Sequence, residues 1–111
     1  SPDLTGPVTE HSLELFAADI AFQCADGIGL DGLIYNSDLR AARVDRLMRR
    51  LAKQSIVMAD HTKIGHTALA RCGSMADVAV FITDHAAPRS AILRFGRMGP
   101  EVIVAHTVGL P

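Results

Sequence analysis

The unbroken apolar run Ile56-Val57-Met58-Ala59, stopping abruptly on Asp60-His61-Thr62-Lys63-Ile64-Gly65, constrains this chain more than any other stretch. The run is too short for an ordinary helix and opens on β-branched residues, so it reads as a strand. Apolar at every position, it is expected to be buried on both faces, as in a parallel sheet. Two more runs share its form. Asp19 to Ala25, carrying Ile20, Ala21, Phe22 and Cys24, leads into Asp26-Gly27-Ile28-Gly29, and Val78 to Thr83 ends on Asp84 beside His85. A fourth, Val102-Ile103-Val104-Ala105, lies near the end of the chain.

Helical periodicity fills the gaps. Thr9 caps a helix through about Ala18, with Leu13, Phe16 and Ala17 on one face. Ser37 or Asp38 caps the longest helix, running to about Lys53. Its apolar face is Val44, Leu47, Met48 and Leu51, and Arg40, Arg43, Arg46 and Arg50 fall opposite. Such a basic stripe grips phosphate or a partner in some proteins, but more often it is a solvated face, here partly neutralised by Asp45, and no partner is read from it. Leu30 to Asn36 reads as a loop or short extended piece. His66 to Cys72 reads as a short helix or turn, because Ala68, Leu69 and Ala70 favour helix, and Gly73-Ser74 breaks it. Pro88 opens a last helix that buries Ile92, Leu93 and Phe95 and stops at Gly96 or Gly99. Alternation of this kind predicts an α/β domain over residues 1–111, a Rossmann-like and mostly parallel sheet with right-handed crossovers and flanking helices.

In an open parallel sheet, ligands bind along the carboxyl ends of the strands. Three strands lead there into an acid: Asp26, Asp60 and Asp84. With Lys63, His61 and His85 they predict one polar rim assembled from distant segments, and Thr62 is a further effector-binding candidate. Carboxylates accept hydrogen bonds from sugar hydroxyls, and the Lys63 ammonium supplies a point charge for a phosphate or carboxylate. The rim therefore suits an anionic polyol. Acids are also common at turns and helix caps, where they serve the backbone alone.

Other chemistry is poorly represented. Asp60, His61 and His66 match no metal-ligand spacing, so neither metal nor cofactor is expected. There is no Gly-x-Ser-x-Gly elbow and no phosphate loop, and Gly27-x-Gly29 alone carries no dinucleotide site. The net charge of −1 leaves no field for a nucleic-acid backbone. No apolar stretch reaches bilayer length. Cys24 and Cys72 form no Cys-x-x-Cys pair, which fits reduced thiols in the cytoplasm.

Taken together, Asp19-Ile20-Ala21-Phe22, Asp26-Gly27-Ile28, Gly32-Leu33, Ala59-Asp60-His61-Thr62-Lys63-Ile64-Gly65 and Ile82-Thr83-Asp84 resemble the effector-sensing domain of the DeoR family of bacterial transcriptional regulators. The resemblance runs from about Gly6 to Ala105. It implies a fold similar to ribose-5-phosphate isomerase and the CoA transferases, homo-oligomers, and recognition of a phosphorylated sugar or related intermediate. It also implies that operator DNA is bound only by an N-terminal winged helix-turn-helix, with this chain the C-terminal portion of the longer regulator and of a larger sensor domain. Nothing here resembles the glycine- and threonine-containing phosphate loop of the sensor's first part, so a part of the effector pocket is expected outside this sequence. By the same resemblance Asp60 and Lys63 contact the effector, and Gly65 lets the backbone approach closely. Asp26 and Gly27 fall where the isomerases hold acidic catalytic residues. Here Asp26 is followed by Gly27 and Ile28 and not by a second acid, so a sensor without turnover is expected, with a sugar-phosphate isomerase-like enzyme as the alternative.

Overall fold

A computed structural model describes residues 19–106 and, before them, Pro7 alone. The helix expected from Thr9 and the tail from Thr107 lie outside the described residues. In chain order the elements are β1 (Ile20–Cys24), β2 (Gly27–Ile28), β3 (Leu33–Asn36), α1 (Leu39–Leu51) and β4 (Gln54–Met58). They continue with β5 (Ala70–Ser74), β6 (Val80–Asp84), α2 (Arg89–Gly96) and β7 (Glu101–Ala105), and one-turn 3-10 helices cover His61–Lys63 and Met75–Asp77.

The four expected strands form one parallel sheet in the order β1-β4-β6-β7. Its register places Val57 beside both Gln23 and Phe81, and these three are 0–5% exposed. Ala42 of α1 and Ala91 and Phe95 of α2 share one buried cluster with Val57 and Phe81, with Phe81 and Phe95 edge-to-face at 5.6 Å, and Val44 and Leu47 of α1 are also buried. Asp38 caps α1, its carboxylate accepting from the amides of Arg40 at 2.8 Å and Ala41 at 3.4 Å. Arg49 and Arg50 in the last turn complement the negative end of the helix dipole.

The opposite face corrects one expectation. β4 is sealed on one side only: Ile56 is half-buried and Met58 is 38% exposed. Register aligns them with Phe22, 58% exposed, and Ile103, 43% exposed. An apolar run therefore marks a strand capable of double cover, and the described residues supply cover on one side.

A second sheet was not expected. Gly27–Ile28 pairs antiparallel with β3, and β3 with β5, in the order β2-β3-β5. The segment from His66 to Cys72 is thus no helix: its second half is strand, and Gly73-Ser74 belong to that strand. Tertiary pairing overrides the helix propensity of Ala68, Leu69 and Ala70, because alternate residues Ala70 and Cys72 enter the core. Leu93, expected inside, is 49% exposed; α2 buries Ala91 and Phe95 instead.

Candidate functional site

Each rim acid is aimed by backbone amides close to it. Asp60 caps the one-turn helix His61–Lys63, and its Oδ1 accepts from the Thr62 amide at 2.8 Å and from the Thr62 hydroxyl. Asp84 closes β6; Oδ2 accepts from the His61 amide at 2.9 Å and Oδ1 from the Ala86 amide at 2.8 Å. The His61 ring also sets Nδ1 3.0 Å from Asp84 Oδ2. Asp26, beyond β1, accepts the Ser37 amide on Oδ2 at 2.8 Å. The bonds at Asp60 and Asp84 stabilise their charged forms. The Thr62 hydroxyl, followed by the Thr62 amide, holds the Asp60 carboxyl below its ordinary range. The His61 amide, then its side chain, lowers that of Asp84 to about 2.

Asp26, Asp60, Lys63 and Asp84 border one cavity of about 440 Å³, floored by Ala25, Met58, Ala59, Ile82, Thr83 and Ala105. Three strand ends thus converge, and the single cation among them is half-buried. The Lys63 amide donates to the Asp60 carbonyl at 3.1 Å, while its ammonium, near enough to help lower the Asp60 carboxyl, makes no hydrogen bond or ion pair with a described residue and is available to an anion. Three carboxylates against one ammonium disfavour a bare dianion. The set fits a ligand with several hydroxyl donors and one anionic group seated at Lys63.

The remaining predicted residues stand outside the lining. His61 is committed to Asp84, and the Thr62 hydroxyl to Asp60. Gly27 is a glycine for packing: a Cβ there would stand 2.6 Å from the His66 carbonyl oxygen. Gly65 has φ +85, which only glycine adopts readily, and its amide donates to the Ile28 carbonyl at 2.7 Å. Open space surrounds the Cβ direction of Gly65, so its glycine answers to the turn.

Thr83 was overlooked as a site residue. It is 3% exposed, lines the cavity, and its hydroxyl has no hydrogen-bond partner. A buried unpaired hydroxyl costs roughly 1–3 kcal/mol, which a bound polar group would recover. Its signal was present, a threonine inside an otherwise apolar strand end. Asp60, His61 and Asp84 also bring potential ligand atoms within 4.8 Å of one another. His66, weighed with Asp60 and His61 from the sequence, is not in that group. Hydrogen bonds to amides and between imidazole and carboxylate already account for the cluster.

Residues 1–85 match the family described as the DeoR C terminal sensor domain. The chain is 28% identical over 101 residues to the HTH-type transcriptional repressor CsqR of Escherichia coli, covering 91% of this chain and 39% of that protein. It is 35% identical over 80 residues to the transcriptional repressor AccR of Agrobacterium fabrum, covering 71% of this chain and 31% of that protein. Similarity to the glycerol-3-phosphate regulon repressor of Haemophilus influenzae is 26% over 80 residues, 72% of this chain and 31% of the relative. The chain therefore spans about a third of the length of the curated relatives it matches.

Proposed function

The chain belongs to the DeoR C-terminal sensor family, and from that premise we propose that it is the ligand-sensing part of a cytoplasmic transcriptional repressor, taking a phosphorylated sugar or sugar alcohol at the rim. One observation carries the reading: Lys63, half-buried and unpaired, faces three pre-aimed carboxylates and the unpaired Thr83 hydroxyl around a single cavity. Lys63 takes the phosphate, the free oxygens of Asp26 and Asp60 take hydroxyl protons, and Thr83 supplies a donor at the floor. A relative named for a glycerol-3-phosphate regulon is consistent with a phosphorylated polyol as the signal.

Occupancy acts by binding one state of a homo-oligomeric repressor better than another, which shifts DNA affinity by that difference and no more. DNA is held by a separate helix-turn-helix domain. Turnover is not part of the role, because no second acid follows Asp26 in the chain and its Oδ2 is already engaged by Ser37.

Calorimetric titration of the intact protein with a panel of phosphorylated and unphosphorylated sugars tests this. At least one phosphorylated member should bind with a Kd that Lys63→Ala raises tenfold or more, while its unphosphorylated counterpart is indifferent to the change. A panel with no Lys63-dependent binder, or aldose–ketose interconversion lost in Asp26→Asn, would refute the proposal.

A further inference from the structure

A second recess borders the amino-terminal ends of the strands, away from the rim. Asp77, just before β6, lines it, and the Asp77 carbonyl accepts the hydroxyl of Ser55 from the start of β4 at 3.0 Å. The recess holds about 490 Å³ and is lined by Arg46, Arg49, Arg50, Cys72, Gly73 and Asp77. That volume is in the range of small-molecule sites, roughly 300–1,000 Å³.

Arg49 is fixed before any ligand arrives. Its Nε donates to Gln23 Oε1 at 2.9 Å and Nη1 donates to the Cys72 carbonyl at 3.0 Å. Gln23, 5% exposed, is itself anchored by donating to the Asp45 carbonyl at 2.7 Å. Gly73 provides the seat, since a Cβ there would fall 1.4 Å from Nη1. The two bonds leave the outer guanidinium hydrogens free. Arg46 and Arg50, one helical turn apart on the exposed side of α1, add two more guanidiniums with no hydrogen bond or ion pair to a described residue. Asp77 is the one carboxylate in the lining among the described residues, with Asp45 near enough for its charge to act on Cys72. Cys72 adds no negative charge, because burial pushes its thiol pKa up.

We propose that this recess is a second ligand site, specific for the phosphate group of a small phosphate ester, distinct from the rim. Three guanidiniums against one carboxylate match a dianion, and forked donors match tetrahedral phosphate oxygens better than a point charge does. The volume of the recess and the net charge of −1 favour a small molecule over a nucleic-acid backbone.

The experiment follows arginine Nε–H resonances of the intact protein while inorganic phosphate replaces chloride at constant ionic strength. The Arg49 signal should shift saturably. Arg46→Ala with Arg50→Ala, both exposed positions, should raise the phosphate Kd at this signal at least tenfold with unchanged circular dichroism. Gly73→Ala, which keeps every charge but unseats Arg49, should do the same, while Lys63→Ala leaves the titration intact. An absent or linear response, full affinity in Gly73→Ala, loss in Lys63→Ala, or displacement of phosphate by a non-specific DNA duplex would each overturn the assignment.

Discussion

The two ends of the parallel sheet are opposites in charge and in how that charge is held. At the carboxyl ends, three acids surround one lysine; at the amino ends, three arginines surround one acid. Two rim acids take an amide from two residues further along, Asp60 from Thr62 and Asp84 from Ala86. The recess instead depends on contacts such as Arg49 with Gln23 and with the Cys72 carbonyl, separated by 26 and 23 residues. Local amides aim Asp60 and contribute at Asp84, although Asp84 also accepts the His61 amide from 23 residues away and Asp26 that of Ser37 from 11. Holding a guanidinium required the assembled core.

The comparison predicts unequal responses to added methyl groups. Gly27→Ala should be the most damaging change, because the new Cβ meets the His66 backbone at 2.6 Å, and backbone yields poorly. A loss of about 3 kcal/mol in urea unfolding is expected, the upper part of the overpacking range; a loss under about 1 kcal/mol would show that β2 is free to move. Gly73→Ala displaces only the tip of a side chain, yet Gln23 and the Cys72 carbonyl then lose their partner, costing about 2 kcal/mol. Arg49→Met should cost the same, and the double variant little more than either, since both remove one interaction. Additive losses in that cycle would mean that Gly73 serves something besides Arg49.

Acid should act on the rim and spare the recess. The Asp84 carboxyl is lowered to about 2 from an unfolded value near 3.8, so its contribution is complete above pH ~4 and disappears as pH falls toward 2. Asp60 is shifted the same way. Asp84→Asn should flatten the pH dependence of unfolding in that window, and an unchanged slope would mean that the His61 contacts do not persist in solution. The smallest effect is expected at Thr83→Val, and in the opposite direction: stability equal to the parent or up to about 1 kcal/mol above it, because the hydroxyl removed has no partner among the described residues. A drop beyond about 1 kcal/mol would reveal a hydrogen bond that the fold conceals.

How far each region could be read from the chain follows the same division. The four parallel strands were legible because each apolar run is bounded by polar residues, and the rim because every acid sits just beyond such a run or closes it. β5 was illegible, since Ala68-Leu69-Ala70 favours helix and its partner β3 looked like a loop. The cover on β4 was overestimated for a related reason: Ile56 and Val57 have similar composition, and only neighbours decide which is sealed. Arg49 was invisible. The basic stripe Arg40, Arg43, Arg46 and Arg50 is indeed exposed, while the arginine between the last two turns inward to a glutamine on another strand.

Asp26 has a consequence that reaches past its own end of the molecule. The amide it holds belongs to Ser37, immediately before the cap of α1, and α1 bears all three arginines of the far recess. Thirteen helical residues make a stiff rod about 20 Å long. The two wells therefore share a shaft, gripped near one tip by a carboxylate that also borders the rim cavity and bearing at its other end the arginines of the recess.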